Sequence, residues 1–110
     1  MAVALPGIKY AFVDAGASGL TSIVPAPGAG LRLVVIALFA VASAPVSINF
    51  AGSVSGQLTA TMSLAANGGM VLNENDSGWF QTGDNEALEI NLSAAAAVGV
   101  TLSYLTQVVP

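Results

Sequence analysis

Residues 31–42 read LRLVVIALFAVA, and from Leu33 to Ala42 no polar residue interrupts the run. A membrane-spanning helix needs about 20 such residues, twice what is present, so the run is read as a buried strand. Successive side chains of a strand point to opposite faces. Leu33, Val35, Ala37, Phe39 and Val41 then form one apolar face, and Val34, Ile36, Leu38, Ala40 and Ala42 a second. A strand apolar on both faces is buried on both. A small two-sheet sandwich has core on one side of each strand only. Val34, Ile36, Leu38 and Ala40 are therefore expected at a contact between copies of the chain, where small residues such as Ala40 and Ala42 allow close approach.

The sequence on either side supports a β reading. VSINF places Val46, Ile48 and Phe50 opposite Ser47 and Asn49, and LTATMSL places Leu58, Ala60, Met62 and Leu64 opposite Thr59, Thr61 and Ser63. LEINL sets Leu88, Ile90 and Leu92 against Glu89 and Asn91, and VGVTLSY sets Val98, Val100, Leu102 and Tyr104 against Gly99, Thr101 and Ser103. Period two with one apolar side marks strands with one face in a core and one in water. Turn formers fall between the runs, at Pro6-Gly7, Ala15-Gly16, PAPGAG (25–30), Gly52 to Gly56, Asn67-Gly68-Gly69, Asp76-Ser77-Gly78 and Gly83-Asp84-Asn85. That rhythm predicts an antiparallel two-sheet sandwich of about eight strands. Ala94 to Ala97 would favour helix by propensity alone. A strand pattern precedes them and Val98-Gly99-Val100 follows, so they are read as a loop or bulge. There is no internal repeat or linker, and residues 1–110 are expected to form one domain.

Composition narrows the function. Hydrophobic residues make up 55% of the chain and charged residues 7%, against about 25% charged in an average domain. A folded chain of this length exposes roughly 5,600 Å², or on the order of 700 Å² for each charge. A surface so poor in charge is either covered by partners or carried by Ser, Thr, Asn and Gln; both are expected here, and with them an oligomer or assembly subunit. Two cations among 110 residues, with a net charge of −4, cannot supply the phosphate contacts that drive nucleic-acid binding. Cysteine and histidine are absent, which removes disulfides, thiolate chemistry, the usual general base and the commonest transition-metal ligand. No enzymatic activity and no cofactor are expected. The opening MAVALPGIKY has no positive leading region and meets Pro6 early, so it is not read as a signal peptide. Residues 1–7 suit an extended arm, with Met1, Ala2, Val3, Ala4, Leu5 and Pro6 as contacts to a neighbouring protein.

Three constellations have bland readings that outweigh their sharp ones. Glu74, Asp76, Asp84 and Glu86 are read as solvated loop charges, because a glycosidase pair needs an aromatic-lined cleft that few aromatics can furnish. NENDSGWFQTGD, residues 73–84, puts Asn73, Asn75, Ser77, Gly78 and Asp84 where a calcium loop has its ligands and glycine. However, the first ligand is Asn and the twelfth is Asp where Glu is usual, and strands flank the loop, so a tight turn without metal is preferred. Of the adjacent pair Trp79 and Phe80, one is expected in the core and the other toward solvent or a partner.

From about residue 28 onward the chain resembles small jelly-roll proteins that decorate, or cement, tailed-phage capsids. The resemblance is carried by GAGLRLVVIALFAVA with PVSINFAG, by LTATMSLAANGGMVLNENDSGWFQT, and by GDNEALEINLSAAAAVGVTLSYLTQV. It implies a jelly roll, a homotrimer, a position on the virion exterior after synthesis in the host cytoplasm, and the major capsid protein as partner. The acidic loops from Glu74 to Glu86 would face basic capsid residues or solvent. No catalytic motif, nucleic acid or membrane is implied. The alternative is a sugar- or receptor-binding jelly-roll module of a fibre or tail.

Overall fold

A computed structural model describes residues 7–110. Ten strands follow in order: β1 (Lys9–Ala15), β2 (Gly19–Val24), β3 (Leu31–Ala42), β4 (Val46–Gly52), β5 (Gly56–Gln57), β6 (Met62–Leu64), β7 (Gly69–Leu72), β8 (Phe80–Gln81), β9 (Leu88–Leu92) and β10 (Val98–Val108). The first sheet has the order β1-β10-β3-β7, with β8 also pairing β3; the second has the order β2-β9-β4-β5, with β6 also pairing β4. Every pairing is antiparallel. β1 lies by β10, β2 by β9, β3 by β7 and β8, and β4 by β5 and β6. This is one long antiparallel ribbon folded over itself, the jelly-roll arrangement. Its eight strand positions are filled by ten elements because the partner of β4 is split into β5 and β6 and the partner of β3 into β7 and β8.

The inner faces meet in one core. β4 contributes Val46, Ile48 and Phe50, β9 contributes Leu88, Ile90 and Leu92, and β10 contributes Val98, Val100 and Leu102, the residues their alternation selects. Phe50 stacks on Phe80 across the sandwich, with ring centroids 5.5 Å apart. The four alanines at 94–97 form the bend from β9 to β10; Ala96 is buried and Ala97 O accepts a hydrogen bond from Ser43 N at 2.9 Å.

Simple alternation breaks at β2, where the register shifts between Ser22 and Val24, and more consequentially at two further places. Residues 58–64 do not form one strand. Phe50 N donates to Thr59 Oγ1 at 3.0 Å, and Phe50 O accepts from both Leu58 N and Thr59 N. This doubled contact is a bulge that separates β5 from β6. In β3, Ala37 pairs with Ser103 and Val35 with Tyr104, so Ile36 is an extra residue with no partner on β10. An inserted residue moves the inward set by one position. Leu33 and Val35 point into the core before the bulge, and Leu38, Ala40 and Ala42 after it.

Candidate functional site

The bulge decides which surface is left uncovered. Beyond Ile36, the outward residues of β3 are Ala37, Phe39 and Val41. Register aligns them with both neighbours: Phe12, Thr101, Phe39 and Val71 lie in one cross-strand row, Tyr10, Ser103 and Ala37 in the next, and Asp14, Gly99, Val41 and Gly69 on the other side. Tyr10, Phe12, Phe39, Val41 and Val71 are each more than half exposed, Phe12 to 77%. β1 explains part of this. Its alternation turns the small side inward, with Ala15 buried and Ala11 and Val13 partly buried, and the aromatic side outward. A hollow of about 260 Å³ lies in the middle of the face, lined by Tyr10, Ala37, Phe39, Thr101 and Ser103.

This face carries few charges. Asp14 stands at one end, its Oδ1 over Gly99, where an added Cβ would lie 3.6 Å away. Arg32 stands at the other, its Nε donating to Gln107 Oε1 at 2.7 Å.

The outer face of the second sheet is polar. Its rows are Leu20, Asn91 and Asn49, then Ser22, Glu89, Ala51 and Gln57, then Ser47 and Ser63. Ser47 and Ser63 hydroxyls lie 3.3 Å apart, and Asn49 Nδ2 donates to Thr61 Oγ1 at 3.5 Å. A hollow of about 290 Å³ opens beside Asn49, Asn91, Gln57 and Glu89.

At the rim, TGDNE (82–86) spends its side chains on holding the loops. Thr82 Oγ1 accepts from Leu33 N at 2.9 Å, Asp84 Oδ1 from Gly30 N at 2.7 Å, and Asn85 Oδ1 from Gly28 N at 3.0 Å. Glu86 is only 2% exposed, which corrects its reading as a solvated charge. Its Oε1 accepts from Val54 N at 2.6 Å and from Ser55 N, and its Oε2 from Ser55 Oγ at 2.6 Å and from Gly83 N. Burial by itself raises its pKa; the bonds from Ser55, Val54 and Gly83 together outweigh burial and hold the carboxyl below its ordinary value. Gly52 and Gly83 make room, since a Cβ on either would press on the carboxylate. Gly83 lies three residues before Glu86, but Gly52 is 34 residues away and reaches it only through the fold, so the sequence carries no signal for this site. Asp84 is exposed but engaged with Gly30; Glu74 and Asp76 are exposed.

The loop at 73–84 is built as a turn. Asn75 Oδ1 accepts from Ser77 N at 3.0 Å, and Gly78 takes a positive φ of 84°. Asn75 N is anchored to Ile36 O, while Asn85, next to Asp84, is anchored to Leu31 O. Five residues of strand, about 16 Å, separate these anchors, so Asn75 and Asp84 do not converge on one ion. Phe80 packs on the core, whereas Trp79 stays half exposed and donates Nε1–H to Asn73 O at 2.6 Å.

The four residues expected at a subunit contact are covered within the chain. Leu38 and Ala40 belong to the core. Val34 and Ile36 face outward beneath the 75–79 turn, where Trp79 N bonds to Val35 O at 2.8 Å and a Cβ on Gly78 would collide with Val34. The free apolar surface of β3 is Phe39 and Val41. Met1, Ala2, Val3, Ala4, Leu5 and Pro6 lie outside the described residues.

The chain matches no protein-family model, and no curated protein matches its sequence. Among solved structures it is similar to the subunit of Bacillus endospore appendages, described as a novel family of disulfide-linked pili. That match has a TM-score of 0.52 and 15% identity, over 100% of this chain and 98% of that one. Looser matches are the virus-like particle of extra small virus from the giant freshwater prawn Macrobrachium rosenbergii (TM-score 0.42, 9% identity, 100% and 86% covered) and the coat protein of Tobacco streak virus (0.40, 10%, 99% and 92%). At such identity the first match bears on the fold alone.

Proposed function

We propose that this chain is a non-enzymatic structural subunit that decorates and stabilises the exterior of a phage capsid. The observation that carries the reading is the apolar outer face of the first sheet, which suits a subunit that works within an assembly, whether another copy or a neighbour covers it. Absence of histidine and cysteine and the sequence resemblance to capsid decoration proteins support it. The pilus subunit is described as disulfide-linked; a chain without cysteine has to assemble without disulfides. Binding only to the assembled lattice would stabilise a shell by mass action, and many copies multiply a small free energy per site. Residues 1–6 are proposed as the arm that lies along the major capsid protein. Co-sedimentation with intact and stripped capsids of the encoding phage tests this. Saturable binding, weakened by deleting residues 1–6, is expected; no binding at saturating concentration would refute it.

The polar hollow beside Asn49, Asn91, Gln57 and Glu89 favours a second reading, a sugar-binding module. Glycan-array binding that Asn91→Ala abolishes, without shell binding, would replace the first reading with this one.

A further inference from the structure

We propose that the outer face of the first sheet is closed by a second copy of the same chain, packed face to face about a two-fold axis over Ser103. Two features select a copy of this chain over an unrelated partner. The first is area. Tyr10, Phe12, Phe39, Val41 and Val71 expose on the order of 600 Å² together, taking about 150–250 Å² for a whole aromatic side chain. With Ala37, Thr101 and Ser103 between them, the face approaches the roughly 800 Å² per partner of a stable interface.

The second is the placement of charge. Asp14 is registered with Gly99 and Arg32 with Gln107, and Ser103 stands four residues from each. Opposite charges therefore sit at equal distances from the central hollow, about 27 Å apart along the strands. A two-fold axis in the contact plane, perpendicular to the line joining them, brings Asp14 of each copy onto Arg32 of the other. Both pairs form at once, as an isologous contact requires. The strands of the two copies then cross at roughly 40°, in magnitude near the 30° of stacked sheets. This replaces the three-fold association implied by the sequence resemblance. It shares only self-association with the capsid reading and needs no shell to be tested.

Sedimentation velocity on the purified full-length protein is the test. A dimer is expected at micromolar concentration. Asp14→Arg or Arg32→Asp alone places like charges together at both ends and weakens dimerisation by roughly tenfold or more. The double variant Asp14→Arg/Arg32→Asp restores the pairs and recovers affinity to within about threefold. Phe12→Ser/Phe39→Ser gives a folded monomer, checked by circular dichroism. A wild-type monomer, a trimer, or a dimer indifferent to the reversals overturns the proposal. So does a double variant no tighter than the single ones. Shell co-sedimentation, read separately, reports on the capsid reading.

Discussion

The two sheets of this sandwich share one core and differ in what they show to the outside. The first sheet turns Tyr10, Phe12, Phe39, Val41 and Val71 outward; the second turns Asn49, Asn91, Glu89, Ser47 and Ser63 outward. Inner faces obey one physical demand, to fill the space between sheets with apolar side chains. Outer faces obey another, set by what lies beyond them. The second is built for water: its polar side chains bond across strands. The first carries few polar groups, among them Thr101, Ser103 and Gln107 and the end charges Asp14 and Arg32, and is the more apolar of the two. Alternation locates the core in β4, β9 and β10, whereas the outer sides carry the difference between the sheets.

The largest effect should come from the shared inner layer. Phe50 is fully buried and stacks on Phe80, joining the two sheets. Phe50→Ala should cost about 3–5 kcal/mol, a large share of the roughly 5–15 kcal/mol that stabilises a domain. Denaturant titration should show one transition, with both sheets lost together. Two separate transitions would show that the faces belong to independent units.

Glu86 comes next, because it joins the 53–55 turn of the second sheet to the rim. Glu86→Ala leaves Val54 N, Ser55 N, Ser55 Oγ and Gly83 N without their acceptor and should cost about 3 kcal/mol. Glu86→Gln should cost less, since the shape is kept. pH separates charge from shape. The folded carboxyl titrates below its ordinary value of 4.5, so its contribution is full above that value. It is lost as pH falls through the lower, folded value. The stability gap between wild type and Glu86→Gln, measured by urea midpoints, should therefore be constant near neutrality and shrink below about pH 4.5. A gap that widens on acidification would contradict the sign.

Much of the inner layer was legible in the sequence, and most of the outer surface was not. VSINF, LEINL and VGVTLSY name their buried residues directly, because a period of two and a single apolar side leave one arrangement. LRLVVIALFAVA does not, because both sides are apolar and the phase changes at Ile36. A bulge is one residue without a partner; no periodicity records it, and every residue after it changes face. Val34, Ile36, Leu38 and Ala40 therefore do not share a face, and all are buried within the chain. KYAFVDA alternates plainly, and the structure turns Ala11, Val13 and Ala15 inward, the first two partly buried, with Tyr10 and Phe12 outward. Glu86 was misread for a related reason: a charge in a polar turn looks solvated until backbone donors from a distant turn are placed around it.

The smallest effect on the fold gives the sharpest comparison of the outer faces. Val71 is 69% exposed on β7 of the first sheet, and Leu20 is 60% exposed on β2 of the second. Both are apolar, both lie on outer faces, and both strands end the hydrogen-bonded order of their sheet. Replacing either with Thr keeps β propensity and removes only apolar surface already in water. In the monomeric Phe12→Ser/Phe39→Ser background, each change should move unfolding free energy by no more than about 0.5 kcal/mol. In the otherwise wild-type protein the two should part company. Val71 shares a row with Phe39 and Phe12, so Val71→Thr should loosen self-association by several-fold. Leu20 is surrounded by Asn91 and Ser22, and Leu20→Thr should leave the association constant unchanged within error. If Leu20→Thr instead weakens assembly and Val71→Thr does not, the polar sheet is the contact surface, and the apolar face of the first sheet needs another occupant.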